Sequence, residues 1–282
     1  LTVNPVLLNR QHALKAAKHQ QPISVFDTLS LPFLDDFSKD DIYPDAGLWK
    51  DSSVFINRDY PIAPPTLGAA TFDGVSKSGS PYDTNLTNNT ASLPADFLTS
   101  KSLNLSGLPV DSTVILTFFY QAEGRGNDPE QSDSLLLDFF NPTTQKWKNI
   151  WYKRGYNPTT SDTIFRLVTI PIADTAYLKN AFQFRFRNRA TVSGNVDHWH
   201  IDYVFLDKNR NMGDTIFSDV AFVYNSRSLL TNYYAMPWRQ YQPSEMKSNL
   251  SFFVRNNDNI PKNTSFDYKI YNLSLIHISE PT

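Results

Sequence analysis

The feature that most restricts the fold is the segment Phe182-Gln183-Phe184-Arg185-Phe186-Arg187, in which ring and polar side chains alternate without a break. A period of two sets three phenylalanines on one face of an extended strand and Gln183, Arg185 and Arg187 on the other. A helix would scatter those rings around its circumference, so the segment has a dry face only as a β-strand. Thr113–Tyr120 and Ser134–Phe140 are denser in apolar residues, as strands covered on both sides should be. Further strands are expected at Ser53–Asn57, Leu67–Phe72, Phe97–Leu105, Lys146–Tyr152, Thr163–Ile170 and His198–Leu206. Turn chemistry separates them at Asp73-Gly74, Asn141-Pro142, Asn157-Pro158 and Ser193-Gly194-Asn195. Many short strands without a recurrent helical pattern predict an all-β fold, an antiparallel sandwich over residues 25–208.

The flanks read differently. Residues 1–24 carry Arg10, Lys15 and Lys18 and no acid; Gln11–Gln21 has a helix-friendly composition without a strong cap or a wide apolar stripe. This stretch is expected to be a linker or frayed helix. Residues 209–272 hold a second series, Thr215–Val223, Ser248–Asn256 and Ser265–Tyr271, too few strands to close a sandwich of their own. They are read as the start of a truncated β domain with exposed apolar edges. The tail Leu273–Thr282 matches, residue for residue, the conceptual translation of a transposon-derived sequencing adapter. Natural sequence is therefore expected to stop near Asn272, and His277 and Glu280 are given no role.

Composition narrows the chemistry. With 282 residues and 20 Phe, 14 Tyr and 5 Trp, the chain can build a substantial core. A net charge of −2 argues against a nucleic-acid partner, which needs a basic stripe to displace counterions. Zero cysteine excludes disulfides, thiolate metal sites and cysteine nucleophiles. No apolar run approaches the roughly 20 residues of a membrane helix, so direct membrane insertion is not expected. The P-loop, the dinucleotide fingerprint and the Gly-x-Ser-x-Gly elbow are all missing. Outside the tail, glutamate occurs only at 123, 130 and 245, and no alternating Glu-x-Asp-x-Glu strand is present. A paired-carboxylate glycosidase is thereby disfavoured, and the chain is expected not to be an enzyme.

The order of pieces Leu31–Ser38, Gly68–Gly74, Leu98–Ser106, Thr117–Tyr120, Phe184–Asn188 and Asp197–Val204 resembles the MAM-like and laminin-G-like jelly rolls of large secreted Bacteroidota surface proteins. The resemblance spans about Phe26 to Asp207. It implies a jelly-roll sandwich, export through the type IX pathway and an extracellular or cell-surface setting. Adhesion, ligand recognition or spacing of other modules is the implied work, with a glycan or a surface protein as partner. Leu229–Trp238 is similar to the linker into an immunoglobulin-like module, the implied identity of residues 209–272. In such jelly rolls an entry-segment acid lies near the acid of the final Trp-x-Ile-Asp strand; this implies a structural calcium on Asp35, Asp36 and Asp202, hard oxygen ligands for a hard ion. The competing reading has these acids accepting backbone N–H groups at a strand end.

Other candidates come from the residues themselves. His198, His200 and Asp202 share one strand face, a zinc-type donor set lacking an evident further ligand, or else a ligand-facing row. Glu123–Glu130 with Asp133 is a polar loop at the sandwich rim, fit for a cation, a ligand or simple solvation. Trp49, Tyr60, Tyr82, Trp147, Trp151, Tyr152, Tyr156 and Trp199 offer rings for stacking on sugars or for filling the core. Tyr82 and Tyr156, in loop-like contexts, are expected to be the exposed ones and to contact carbohydrate. The outer row Gln183, Arg185 and Arg187 is read as engaging an anionic glycan or solubilising the sheet.

Overall fold

The structure is a computed structural model, and it describes residues 2–8, 28–39, 41–85, 91–109, 111–156 and 164–267. Gln11–Gln21, the Asn157-Pro158 turn, the end of the third late strand and the tail lie outside the described residues. Among the described ones the strands are β1 (Thr28–Leu29), β2 (Phe33–Asp35), β3 (Phe55–Asn57), β4 (Ala69–Phe72), β5 (Ser92–Thr99), β6 (Ser102–Leu103) and β7 (Ile115–Ala122). They continue with β8 (Ser134–Asn141), β9 (Lys146–Arg154), β10 (Arg166–Pro171), β11 (Gln183–Thr191), β12 (Trp199–Asp207), β13 (Val220–Phe222) and β14 (Val254–Asn256). No helix among them is long and apolar enough to cross a membrane.

Two antiparallel sheets face each other. One runs β10-β7-β12-β4-β3, with β2 also paired to β12; the other runs β5-β11-β8-β9. From β4 to β12 the main strands pass from sheet to sheet, apart from the β8–β9 hairpin, so their spatial orders 4-12-7-10 and 5-11-8-9 give a jelly roll. The short parallel pair β1–β6 closes one margin.

The alternation read from the sequence is realised on β11. Phe182, Phe184 and Phe186 are fully buried, while Arg185 and Arg187 point out of the sandwich. Phe184 meets Phe33 at 5.2 Å and Trp49 at 5.7 Å, and Phe186 meets Phe118 at 4.8 Å, so rings from both sheets interlock edge to face. Trp49 keeps its polar edge satisfied inside this core, donating Nε1–H to Asp35 Oδ2 at 2.6 Å.

On β12 the period breaks. Trp199 and Ile201 face inward, the register then shifts between Asp202 and Phe205, Tyr203 takes φ 51°, and Val204 and Leu206 face inward again. This bulge flips the parity of the strand and leaves His200, Asp202 and Phe205 on the outer face.

The late series is shorter than the sequence implies. Val220–Phe222 pairs with Val254–Asn256, and residues 265–267 form no strand. The pair packs against the sandwich. Phe217 lies 4.6 Å from the Tyr203 ring and 5.6 Å from Phe119, and the Ala63 N–H donates to the Tyr224 hydroxyl.

Candidate functional site

The outer face of the β7-β12-β4 sheet carries a row of polar side chains: His200, Asp202, Gln121, Thr71 and Thr117, each fully buried. The segment 57–67 covers most of this row and satisfies it, while Thr117 is taken by Arg210 and the Phe205 carbonyl. Gln121 exchanges two hydrogen bonds with the backbone of Ile62, and Thr66 gives Asp202 both its N–H and its hydroxyl. Tyr60 stacks on the rings of His198 and His200. His200 Nε2 faces the Glu123 carbonyl at 3.0 Å, so Nε2 carries the proton and Nδ1 takes the Thr71 hydroxyl at 2.8 Å. His198 Nδ1 accepts the Asn127 N–H at 2.9 Å, and its Nε2 lies against Asn195 Oδ1. Burial drives both imidazoles down, to about 4 and about 3, and pushes the Asp202 carboxyl up to about 8. Both nitrogens of each histidine are thus engaged beneath a loop.

The outer face of β5-β11-β8-β9 is different. Apart from the buried Asp138, Ser134 and Gln183, the side chains of the Arg185–Arg187 row and of β9 are half-buried or exposed. Asp138 sits at the centre and receives Arg187 Nε at 2.7 Å and Arg185 Nε at 3.0 Å. Burial alone would raise this carboxyl; hydrogen bonds from Arg187 and Asn149 and the arginine charges outweigh it and hold it below the ordinary range. The Arg185 guanidinium lies 4.2 Å from the centre of the Trp147 ring and 5.5 Å from that of Phe97. Farther along, Arg154, Arg189 and Tyr152 surround a shallow depression of about 410 Å³ floored by Ser134 and Leu136. Tyr152 is 57% exposed there. Asp133 also lines the depression, so four guanidinium groups stand against two carboxylates, Asp133 and Asp138, and the face is cationic.

At the rim beside the depression stand three acids. Carboxylate oxygens of Glu130, Asp133 and Asp197 lie within 4.8 Å of one another, the one such group among the described residues. Asn127 ties the two loops that bear them, since its Oδ1 accepts the Asp197 N–H and its carbonyl accepts the His198 N–H. Gly155 lets the first loop close down: a Cβ there would stand 2.2 Å from the Glu130 carbonyl oxygen and 2.3 Å from that of Pro129. Burial, reinforced by the neighbouring acids, raises Asp133 to about 6 and Asp197 to about 8.

The residues expected to hold calcium and those expected to contact carbohydrate are not brought together. Asp35 is bound to Trp49 and to the Phe37 N–H, Asp36 to Ser38, and Asp202 to Thr66, so these three carboxylates do not form a shared cluster. Tyr82 is 42% exposed, but its hydroxyl points inward to Asp96 Oδ1 at 2.7 Å. Tyr156 is 43% exposed, with Lys153 Nζ over its ring. Glu245 takes the side-chain amide of Asn232. Sequence reasoning did not single out Arg154, Arg189, Asp138 or Asp197. Arg189 continues the outward row of Arg185 and Arg187 at the same period of two, so its signal was present; Asp197 lies in a polar turn that looked like any other.

No protein-family model matches the chain, and no curated protein does either. Solved structures similar to it include the K3 cleaved adhesin domain of Lys-gingipain from Porphyromonas gingivalis w83, 10% identical, covering 50% of this chain and 74% of that one at a TM-score of 0.30. The K2 cleaved adhesin domain of Lys-gingipain is 10% identical over 63% of this chain and 98% of that one, with a TM-score of 0.36. The module CBM27-1 of Caldicellulosiruptor saccharolyticus, solved in complex with mannohexaose, is 14% identical over 62% of this chain and 95% of that one, also at 0.36. At these identities and scores the likenesses say nothing about the site.

Proposed function

We propose that this chain is a non-catalytic recognition module of an exported surface protein, and that it holds anionic carbohydrate on the open face of β5-β11-β8-β9. The observation that carries the reading is the depression between Arg154, Arg189 and Tyr152. Guanidinium groups suit a sugar carboxylate or sulfate, Arg189 keeping donors beyond the one it gives to the Ser92 carbonyl, and an exposed ring beside them offers a stacking surface. Support comes also from the opposite sheet, whose histidines and acid are sealed under the 57–67 segment with their hydrogen bonds filled. The histidines and the acid of that row are therefore not presented to a ligand in solution.

The test is affinity electrophoresis of the full chain through gels carrying polygalacturonate or, in parallel, neutral mannan. Retardation by the charged polymer is expected, weakening as sodium chloride is raised. Arg154→Gln and Arg189→Gln should each lower affinity about tenfold or more, by loss of a charge-assisted hydrogen bond. Tyr82→Ala should leave retardation unchanged. Equal retardation by both polymers, none by either, or indifference to both arginine substitutions would overturn the reading.

A further inference from the structure

The acidic rim poses a problem that the protein does not solve internally. Asp133 and Asp197 are 1% and 0% exposed. One oxygen of each is used: Asp133 Oδ2 accepts the Glu130 N–H at 2.9 Å, and Asp197 Oδ2 accepts the Thr191 N–H at 2.6 Å. The other oxygen of each, Oδ1, is buried with no hydrogen-bond partner. Ser92 Oγ is likewise buried and lies beside the Asp133 carboxyl, which its hydroxyl favours in the charged form. Among the described residues the Oδ1 atoms of Asp133 and Asp197 are the two carboxylate oxygens left without a partner. Buried polar atoms are almost always partnered, because each orphan forfeits its hydration. Two orphaned carboxylate oxygens beside a third carboxylate, with the nearby Arg189 guanidinium given to the Ser92 carbonyl and not to them, call for a cation.

We infer that Glu130, Asp133 and Asp197, with Ser92 Oγ beside them, form a calcium site that ties the 123–133 loop to the 192–198 loop. The donor set is oxygen only, which disfavours zinc and copper. His198, adjacent in sequence, has both ring nitrogens committed elsewhere. Calcium takes oxygens at about 2.3–2.6 Å, so opposite ligands in its shell stand up to about 5 Å apart, and carboxylate oxygens within 4.8 Å of one another fit that span. The loops supply the rest of the reason. Each is held by its own hydrogen bonds, yet their mutual contact brings like charges together in a buried place. A divalent ion removes the repulsion and turns the junction into a clamp. The site is distinct from Asp35, Asp36 and Asp202, and it does not depend on the carbohydrate reading.

The experiment is thermal melting of the full chain in chelator and then in calcium chloride, with magnesium chloride as comparison. Calcium at about a hundredfold its dissociation constant should raise the melting temperature by roughly 5–10 °C, and magnesium by less. Asp133→Asn and Asp197→Asn keep an acceptor for the Glu130 and Thr191 N–H groups, so each should fold, melt in chelator no lower than the parent protein, and lose the calcium response. Glu130 is exposed, and Glu130→Gln should fold in any event and weaken the response by about tenfold in calcium concentration. Asp202→Asn should keep the response in full. The inference is overturned by no calcium shift at millimolar concentration, by a shift that survives Glu130→Gln and Asp197→Asn, or by a shift lost in Asp202→Asn alone.

Discussion

Asp73 and Asp96 are both buried, and the Asp73 N–H donates to Asp96 Oδ2 at 2.9 Å. Tyr82 gives its hydroxyl to the other Asp96 oxygen, and Asp73 Oδ1 accepts the Val75 N–H at 2.7 Å. Burial raises both carboxyls, Asp73 to about 7, and the Asp73 charge raises Asp96 further. A carboxyl raised in the folded state holds a proton that the unfolded chain has already released near pH 4. Its contribution to stability is therefore complete below the ordinary carboxylate range and lost as pH climbs through about 7. Melting temperature should fall between pH 5 and 8, with on the order of 2 kcal/mol, or roughly 4–8 °C, due to this pair. Asp73→Asn keeps the acceptor for Val75 and should make that limb shallower by the pair's share, the raised Asp133, Asp197 and Asp202 supplying the rest; a variant with an unchanged slope between pH 5 and 8 would remove the claim. Asp138 acts in the opposite sense and elsewhere on the scale. Held low by its arginines, it stabilises above the ordinary range and loses that effect only as pH drops below about 4.

At the level of elements, β11 joins the halves of the molecule through its two faces. Its inward rings lock the sheets together, so Phe184→Ala, which empties the space between Phe33 and Trp49, should cost about 3–5 kcal/mol in denaturant midpoint measurements. A loss under about 1 kcal/mol would mean that the ring cluster is not where the sheets are held. The outward row of the same strand supplies the arginines of the open face. This division was readable in advance, because a strict period of two leaves a strand only one way to lie. β12 was less transparent: its bulge reverses the parity after Asp202, and no feature of His198–Leu206 marks where the extra residue falls.

Across the whole molecule, the segment beyond β12 is fastened to the sandwich and not merely appended to it. Arg210 is buried, with its guanidinium on the carbonyls of Ile115 and Phe205 and on the Thr117 hydroxyl. Phe217 then caps Tyr203 and Phe119, and Asn257 reaches the Pro65 carbonyl. Phe217→Ala should loosen this attachment without unfolding the sandwich. Limited proteolysis is expected to cut between residues 209 and 219 several-fold faster in the variant, leaving a core that carries β2 to β12. Equal cutting rates would show that the attachment rests on the hydrogen bonds alone.

The sequence by itself determined the all-β class, the positions of most long strands, and the face on which each alternating strand is dry, because side-chain direction along a strand is fixed by local geometry. It also marked the 123–133 loop as polar and the Arg185–Arg187 row as outward. Only tertiary structure decided which outer face is covered. His198, His200 and Asp202 have the composition of a site and became a buried polar layer, because a loop about 140 residues earlier in the chain folds over them. Asp197 has the composition of a turn, and it came to stand beside Asp133 and Glu130 because two rim loops converge. Such proximity depends on how distant strands pair, which no local pattern of residues encodes.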